Sequence, residues 1–197
     1  MKSFLLSIWE IVEVGLIAVI TVVAVRHFLV QPFVVSGRSM EPNFAHGDYL
    51  LIDEISYRYR IPQRGEVVVF RSPTDNKSFF IKRIIGLPNE KIVINDNKIA
   101  IFNEENPEGI VLDEAYTNLV FSSAPVNPVR DKVSNGINTG NLEVSLKSEE
   151  YFVLGDNRLE SFDSRTWGPL QKSAIVGLVR LRLWPISKVK AIEIPAY

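Results

Sequence analysis

The chain opens with an apolar segment, and a different pattern of short hydrophobic runs follows it. From Phe4 to Val30 the residues are largely apolar, interrupted by Glu10, Glu13, Arg26 and His27. A helix needs about 20 residues to span a bilayer, and a helix counted from Phe4 has sufficient length. Glu10 and Glu13 are three residues apart on one helical face, so both can turn toward the interface. We therefore predict a retained membrane helix over residues 1–30.

Two other interpretations of this segment are a cleavable signal peptide and a buried helix of a soluble protein. A signal peptide is disfavoured because no small-residue cleavage site follows directly, and residues 31–35 continue apolar and extended. The acidic residues are compatible with a buried soluble helix. The positive-inside rule does not decide the orientation of the helix in the membrane. Lys2 precedes the apolar segment, whereas Arg26 and Arg38 lie at or beyond its other end.

Beyond this segment there is no helical period of useful length, and β-rich runs alternate with turn signals. Turns are indicated at residues 62–65 and 87–89. The predicted strands are Tyr49–Ile52, Glu66–Phe70, Ser78–Ile85, Lys91–Ile94, Lys98–Ile101, Tyr151–Leu154 and Ala174–Leu183. Many short strands of this kind predict an antiparallel β-domain of linked sheets over residues 31–197. Residues 103–148, which are rich in Asn, Pro, Gly and Ser, are interpreted as an excursion between two strands.

Composition excludes several classes of function. The 197 residues carry a formal net charge of -1, so we expect no nucleic-acid partner, which would favour a basic surplus. There is no cysteine, which excludes a disulfide, a thiolate zinc site and a cysteine nucleophile. Two histidines are too few for a three-histidine zinc site. We expect neither a metal nor a cofactor.

The first candidate for chemistry is Ser39, in the segment Ser36-Gly37-Arg38-Ser39-Met40-Glu41-Pro42. A serine between a flexible glycine and a helix-disfavouring proline suits a hydroxyl displayed on a turn. Its position just past the predicted span places it at the bilayer surface. His27 would lie near the lipid headgroups and His46 on a solvated turn, so neither suits a general base. Ser39 would then need a lysine or a carboxylate to activate it.

The candidate base is Lys82, in the predicted strand Ser78–Ile85. Alternate residues of a strand share a face, so Lys82 lies between Phe80 and Ile84 while Arg83 points the other way. Desolvation on an apolar face lowers the pKa of a lysine. The neutral amine that results is what a general base requires. The alternative is an exposed lysine that protects an edge strand from aggregation.

The third candidate element is the polar run over residues 155–168, directly after a predicted apolar strand. Asp163 and Arg165 could form an ion pair, and Asp156 could hold the loop through backbone amides. A capped surface turn would explain the start of the run but not its whole length. The hydroxyls that could hydrogen-bond a neutral lysine amine are those of Ser161 and Ser164.

Together these residues resemble the bacterial type I signal peptidases, which are membrane-bound serine-lysine endopeptidases. The resemblance includes the anchor and four motifs in the family's order, which cover the core and leave the excursion outside. The motifs are Ser39-Met40-Glu41-Pro42 and residues 64–70, 82–88 and 155–168. The resemblance implies a mostly β fold. This would be an antiparallel β-sheet catalytic domain of the signal-peptidase and LexA-like type, with one N-terminal transmembrane helix.

The resemblance also implies roles for individual residues. Ser39 would be the nucleophile and Lys82 the general base, with Ser161 orienting the lysine. The supporting residues would be an ion pair of Asp163 and Arg165 near Arg83, and Asp156 as a structural acidic residue.

Substrate-side roles follow from the same resemblance, for Gly37, Met40 and Phe80. Met40 and Phe80 would help shape the substrate cleft, and the Ser39 amide would supply one oxyanion donor. Gly37 stands where some members carry a serine whose hydroxyl completes the oxyanion hole.

The implied function is removal of signal peptides from exported preproteins, after small residues as in A-x-A sites. The enzyme would be a single-pass protein of the cell membrane, in contact with lipid, with its catalytic domain on the extracytoplasmic side. Two alternatives are a self-cleaving LexA-like regulator and a catalytically inert anchored β-domain that binds exported chains. The apolar segment and the lack of a DNA-binding helix-turn-helix disfavour the regulator.

Overall fold

The fold consists of one long helix, two very short helices and twelve strands among the residues described. The computed structural model describes residues 2–28, 30–95, 98–117, 142–195 and 197, with side chains described for 8–22 and from 31 onward in these ranges. The helices are α1 (Lys2–Phe28), α2 (Ser56–Tyr59) and α3 (Ser164–Trp167), with 3-10 helices at Lys172–Ala174 and Ile186–Lys188. The strands are β1 (Val30–Val34), β2 (Tyr49–Asp53), β3 (Val67–Arg71), β4 (Phe79–Gly86), β5 (Lys91–Asn95), β6 (Lys98–Phe102), β7 (Ile110–Val111), β8 (Leu142–Ser145), β9 (Glu150–Leu154), β10 (Leu170–Gln171), β11 (Ile175–Trp184) and β12 (Lys190–Ala191).

The strands form two antiparallel sheets. The larger sheet has the order β1-β2-β11-β3-β4-β9-β10, with β12 paired to β11, and the smaller has the order β7-β6-β5-β8. The pairings are antiparallel throughout these two sheets. The mostly β, antiparallel fold predicted from the sequence is thus confirmed. Each of the seven predicted strands matches an observed strand within two residues at either end.

Burial follows the position of each strand in its sheet. Strands β3 and β9 are buried along nearly their whole length, because neighbouring strands and core side chains cover them on every side. Strands β2 and β6 instead alternate between buried and more exposed positions, as expected for strands with one face on a core. Strands β3 and β9, which lie on either side of β4, are therefore almost entirely removed from solvent.

The predicted excursion over residues 103–148 is too wide at both ends. Strand β7 pairs with β6 and strand β8 pairs with β5, so both flanks belong to the smaller sheet. Leu112 and Leu146 are buried in the core next to these strands. These strands were not predicted because each is only two to four residues long and lies in a segment of mostly polar residues. Residues 118–141, which contain the Asn-Gly turn signals, lie outside the described residues.

The N-terminal helix α1 agrees with the predicted helix. Every residue from 8 to 22 is exposed, including Trp9, Ile11 and Val14, each with at least 67% of its surface accessible. Counted over the described residues, no helix combines the length and the apolar character needed to cross a membrane.

Candidate active site

A cleft of about 290 Å³ lies at one end of the larger sheet. It is bounded by the turn after β1, the first half of β4 and the loop after β9. Its polar residues include Ser39 and Lys82, and most of the other side chains are apolar. The apolar side chains that line it are Phe33, Val34, Val35, Leu50, Val69, Phe79, Phe80, Ile81 and Phe162.

Ser39 lies on a turn, as the sequence predicted. The ladder between β1 and β2 continues for one more residue, with Val35 N–H donating to the Asp48 carbonyl at 2.9 Å. The chain then bends at Gly37, whose φ of +98° is a left-handed value that glycine adopts without strain. Beyond Ser39 the turn closes through Glu41 N–H, which donates to the Arg38 carbonyl at 3.1 Å. The hydroxyl is therefore displayed at the mouth of the cleft.

Lys82 points into the cleft from β4, which lies between β3 and β9. Its Nζ atom is 2.8 Å from Ser39 Oγ and 2.9 Å from the Ile81 carbonyl oxygen. The residue is only 4% exposed, so the alternative of an exposed edge-strand lysine is wrong. Burial lowers the pKa of Lys82 to about 8, although the charges of Asp163 and Asp156 oppose this shift. A lysine with this pKa can exchange a proton with the serine hydroxyl near neutral pH.

The loop after β9 holds the Ser39 turn by its backbone. Asn157 N–H donates to the Ser39 carbonyl at 3.0 Å, and Asn157 Nδ2 donates to the Arg38 carbonyl at 3.2 Å. A Cβ atom on Gly155 would come closer than 3.0 Å to the Ser39 carbonyl oxygen and to the Ser161 side chain. Only glycine fits here without displacing the turn. Sequence reasoning missed Asn157, although its place in the polar run was a signal.

Asp163 and Arg165 form the predicted ion pair. Arg165 donates from Nε to Asp163 Oδ1 and from Nη2 to Oδ2, both at 2.8 Å. Asp163 also accepts the Gly155 amide at 3.0 Å and caps helix α3. Burial alone would raise the pKa of Asp163, but the hydrogen bonds and charge of Arg165 hold it below its usual value. The pair thus fixes the start and the end of the loop relative to each other.

Arg83 and Asp156 form a second ion pair, which corrects the expectation that Asp156 holds the loop through backbone amides. Arg83 donates from Nε to Asp156 Oδ1 at 2.8 Å and from Nη2 to Oδ2 at 2.6 Å, and both residues are buried. Arg83 therefore pairs with Asp156, whereas Asp163 pairs with Arg165. Asp156 holds the loop through this guanidinium and through Asn43 Nδ2 at 2.9 Å, rather than through backbone amides. The reason is that Arg83 points away from the cleft, toward the side where Asp156 lies.

The two serines considered for orienting Lys82 are placed differently. Ser164 Oγ accepts the Val153 amide at 3.0 Å, so it serves the backbone of β9. Ser161 Oγ is buried against Gly155, makes no hydrogen bond of good geometry with the residues described, and lies close enough to Asp163 to help lower the pKa of that carboxyl. Of the two serines, Ser161 is the one whose hydroxyl is not bound to the backbone of β9.

The three residues expected on the substrate side also differ in position. Gly37 and Phe80 line the cleft. Met40 is only 1% exposed and packs in a core cluster with Val35 and Leu50, so it does not line the cleft, contrary to expectation. It supports the cleft from below, because those two neighbours form part of the cleft floor.

Known proteins resemble this chain over most of its length. The family described as "Signal peptidase, peptidase S26" matches residues 8–184. A probable signal peptidase I-2 of Synechocystis sp. is 35% identical over 178 residues, covering 87% of this chain and 71% of that protein. Signal peptidase I V of Bacillus subtilis is 33% identical over 165 residues, covering 84% of this chain and 92% of that protein.

Among solved structures, the crystal structure of a signal peptidase I from Enterococcus faecalis is similar, with 29% identity and a TM-score of 0.43. The similarity covers 61% of this chain and 97% of that one. The family match spans the cleft, both ion pairs and the helix from residue 8 onward. The chain therefore belongs to the signal peptidases of the peptidase S26 family.

Proposed function

We propose that this signal peptidase cuts its substrates with Ser39 as the nucleophile and Lys82 as the general base. The observation that carries the proposal is the distance of 2.8 Å between Lys82 Nζ and Ser39 Oγ inside a mostly apolar cleft. A nucleophile and a base within hydrogen-bond reach are the minimum arrangement for covalent catalysis of this type. The lowered pKa of Lys82 supplies the second requirement, an amine that can be neutral.

The reaction would pass through an acyl-enzyme. Neutral Lys82 takes the hydroxyl proton as Ser39 Oγ attacks the scissile carbonyl carbon, which gives a tetrahedral intermediate. Lys82 then returns the proton to the departing amine, and the acyl group remains on Ser39. A water molecule that loses its proton to Lys82 releases the product acid and restores the serine.

The developing oxyanion needs hydrogen-bond donors. The Ser39 amide is the candidate, since it donates to no other residue within the described ranges. One donor of this kind contributes about 3 kcal/mol in comparable hydrolases.

The positions of the supporting residues suggest how the dyad is held. The Asp163–Arg165 pair fixes the loop that grips the Ser39 turn, and the Arg83–Asp156 pair ties that loop to β4. Ser161, buried beside Gly155 in the loop that holds the Ser39 turn, would orient the neutral amine.

We propose that the substrates are exported preproteins cut after small residues. The cleft is narrowed by aromatic side chains, with the Phe80 ring 6.4 Å from that of Phe162 and the Phe33 ring 5.4 Å from that of Phe79. Aromatic rings of this size along the cleft would leave only shallow binding pockets. Alanine and glycine side chains of a substrate would fit in such pockets, whereas larger side chains would not. Such residues are found in A-x-A cleavage sites.

We also propose that α1 anchors the enzyme in the cell membrane, with the β-domain on the extracytoplasmic side. The support is the exposure of apolar side chains around the helix from Ile8 to Val22. From Val14 to Val22 the exposed apolar side chains lie on all sides of the helix, and such a surface is stable where apolar material surrounds it. Exported preproteins reach the same surface, so enzyme and substrate would meet at the lipid.

The test is cleavage of a preprotein with an A-x-A site by the full chain in detergent. We expect Ser39→Ala and Lys82→Ala each to lower kcat by roughly 10⁴-fold or more, as for nucleophile and base variants of other hydrolases. Matched controls are Ser148→Ala and Lys98→Ala, which change an exposed serine and an exposed lysine and should cut normally. Normal cutting by either dyad variant would refute the assignment. Binding of signal peptides without cutting by the wild type would favour the inert binding domain.

A further inference from the structure

We propose that His46 is a positioning residue that holds the turn before Ser39 in the geometry needed for catalysis. The proposal deepens the function proposed above and rests on it. His46 lies on the turn that leads into β2, and its Nδ1 atom accepts a hydrogen bond from Gly37 N–H at 3.2 Å. Gly37 lies two residues before the nucleophile.

The contact lies just beyond the point where the backbone ladder between β1 and β2 ends. Strands β1 and β2 pair Val34 with Tyr49, and the next rung follows through Val35 and Asp48. The Gly47 amide then donates to the Val35 carbonyl at 2.9 Å. Val35 therefore faces both Asp48 and Gly47, which is a β-bulge with Gly47 at φ +87°, and the backbone ladder ends there. Two residues past the bulge, the Gly37 amide donates to the His46 imidazole rather than to a backbone carbonyl, so a side chain holds the chain at the edge of the cleft.

The contact supports the part of the turn between the end of the ladder at Val35 and the bonds that begin at Arg38. The Arg38 carbonyl accepts Glu41 N–H and Asn157 Nδ2, and the Ser39 carbonyl accepts the Asn157 amide. Ser36 and Gly37 make no main-chain hydrogen bond to the described residues besides the one to His46. Glycine is the residue with the greatest backbone freedom, and Gly37 has φ +98°. Without the imidazole, the direction in which the chain enters Ser39 would be free to vary.

The contact also defines the chemical state of both partners. An amide N–H can donate only to a ring nitrogen that has a lone pair, so Nδ1 is unprotonated and Nε2 carries the proton. The Gly37 amide is likewise committed to His46. It is therefore not available to the oxyanion, which leaves the Ser39 amide as the donor on this turn.

The test compares three substitutions of His46 in the full chain, with the same preprotein assay. In His46→Asn the side-chain oxygen is bonded to Cγ, as Nδ1 is, and can accept the Gly37 amide. In His46→Gln the oxygen is one bond further out, and His46→Ala has no acceptor. We expect kcat to fall roughly three- to tenfold for Ala and Gln, the effect of one neutral hydrogen bond, and to recover in Asn. KM and the unfolding midpoint should change little, because His46 is exposed and lies outside the core.

The outcomes separate this proposal from the one on which it rests. If Ser39→Ala abolishes cutting but His46→Ala has the kcat of the wild type, the positioning role is wrong and the dyad stands. If Asn, Gln and Ala variants are equally impaired, the hydrogen bond is not what His46 contributes, and the proposal is also overturned. If Ser39→Ala still cuts, the dyad assignment itself fails, whatever the His46 variants do.

Discussion

Lys82 Nζ and Ser39 Oγ are 2.8 Å apart, although the two residues are separated by 43 positions along the chain. Lys82 is fixed by the register of β4, where it pairs with Val68 of β3. Ser39 is fixed by the β1–β2 ladder on one side and by Asn157 on the other. The short distance therefore depends on three separate parts of the chain, and each offers a way to change the chemistry without removing the dyad.

The cleavage rate should rise with pH through about 8. Burial lowers the pKa of Lys82 to that value, and only the neutral amine can accept the serine proton. At pH 7 about a tenth of the lysine would be neutral, and the fraction approaches one above pH 9. The measurement is kcat/KM of the full chain between pH 6 and pH 10.

Substitution of Asp163 tests whether nearby charge affects the pH at which the cleavage rate reaches half its maximum. The charge of Asp163 favours the protonated amine, so Asp163→Asn should move the midpoint of the profile to lower pH. A wild-type profile without a rise near pH 8, or a midpoint that moves upward in Asp163→Asn, would contradict this account of Lys82.

Lys82→Met should stabilise the fold while it abolishes cutting. The pKa of Lys82 falls from 10.5 to about 8 in the folded state, so folding at neutral pH buries an amine that is still mostly charged. This costs up to about 3 kcal/mol below pH 8. Because the folded pKa is the lower one, wild-type stability rises between pH 8 and 10.5, and the advantage of Lys82→Met shrinks over the same range.

The measurement is the free energy of unfolding in denaturant at several pH values. The exposed Lys98→Met is the matched control and should show no such pH-dependent difference. Equal stability of wild type and Lys82→Met at pH 7 would mean that the lysine is not desolvated.

The sequence predicted those features that depend on neighbours along the chain. The strands were recognisable from their β-branched residues and turns, and Lys82 and Arg83 were assigned correctly to opposite faces of β4. Asp163 and Arg165 were paired correctly because they are only two residues apart.

Features that depend on distant contacts were not predictable in the same way. Asp156 finds Arg83 from 73 residues away, which only the pairing of β4 with β9 explains. Met40 was expected in the cleft, but a residue on a turn can face the core as readily as the solvent, and no periodicity decides between them. His46 was read correctly as a solvated turn residue, yet its contact with Gly37 depends on the bulge that ends the β1–β2 ladder, which no periodicity of the sequence shows.

Gly155→Ala should impair catalysis by moving the nucleophile. The new Cβ would lie closer than 3.0 Å to the Ser39 carbonyl oxygen and to Ser161, so the turn or the loop must shift. Misplacement of a reacting group by about 1 Å can cost roughly 100-fold in rate, and overpacking costs about 1–3 kcal/mol of stability. The measurement is kcat together with the unfolding midpoint.

The matched control is Gly15→Ala, because a Cβ at Gly15 on helix α1 meets no atom within 4 Å. That variant should cut at the wild-type rate. If Gly155→Ala also cut at the wild-type rate, the close approach of the loop to the Ser39 carbonyl would not matter for catalysis.

Asp156→Ala should be strongly destabilising, because it leaves the Arg83 guanidinium buried without its partner. Removing one member of a buried ion pair costs about 3–5 kcal/mol, whereas an exposed pair contributes at most about 1 kcal/mol. The exposed pair of Lys91 and Glu143, with 2.7 Å between Nζ and Oε1, provides the matched control through Glu143→Ala.

Since apolar residues can replace a buried pair, Arg83→Met combined with Asp156→Leu should lose less stability than the sum of the two single changes. Denaturant unfolding of these variants measures both effects. An Asp156→Ala protein no less stable than Glu143→Ala would show that the Arg83–Asp156 pair does not hold the loop to the sheet.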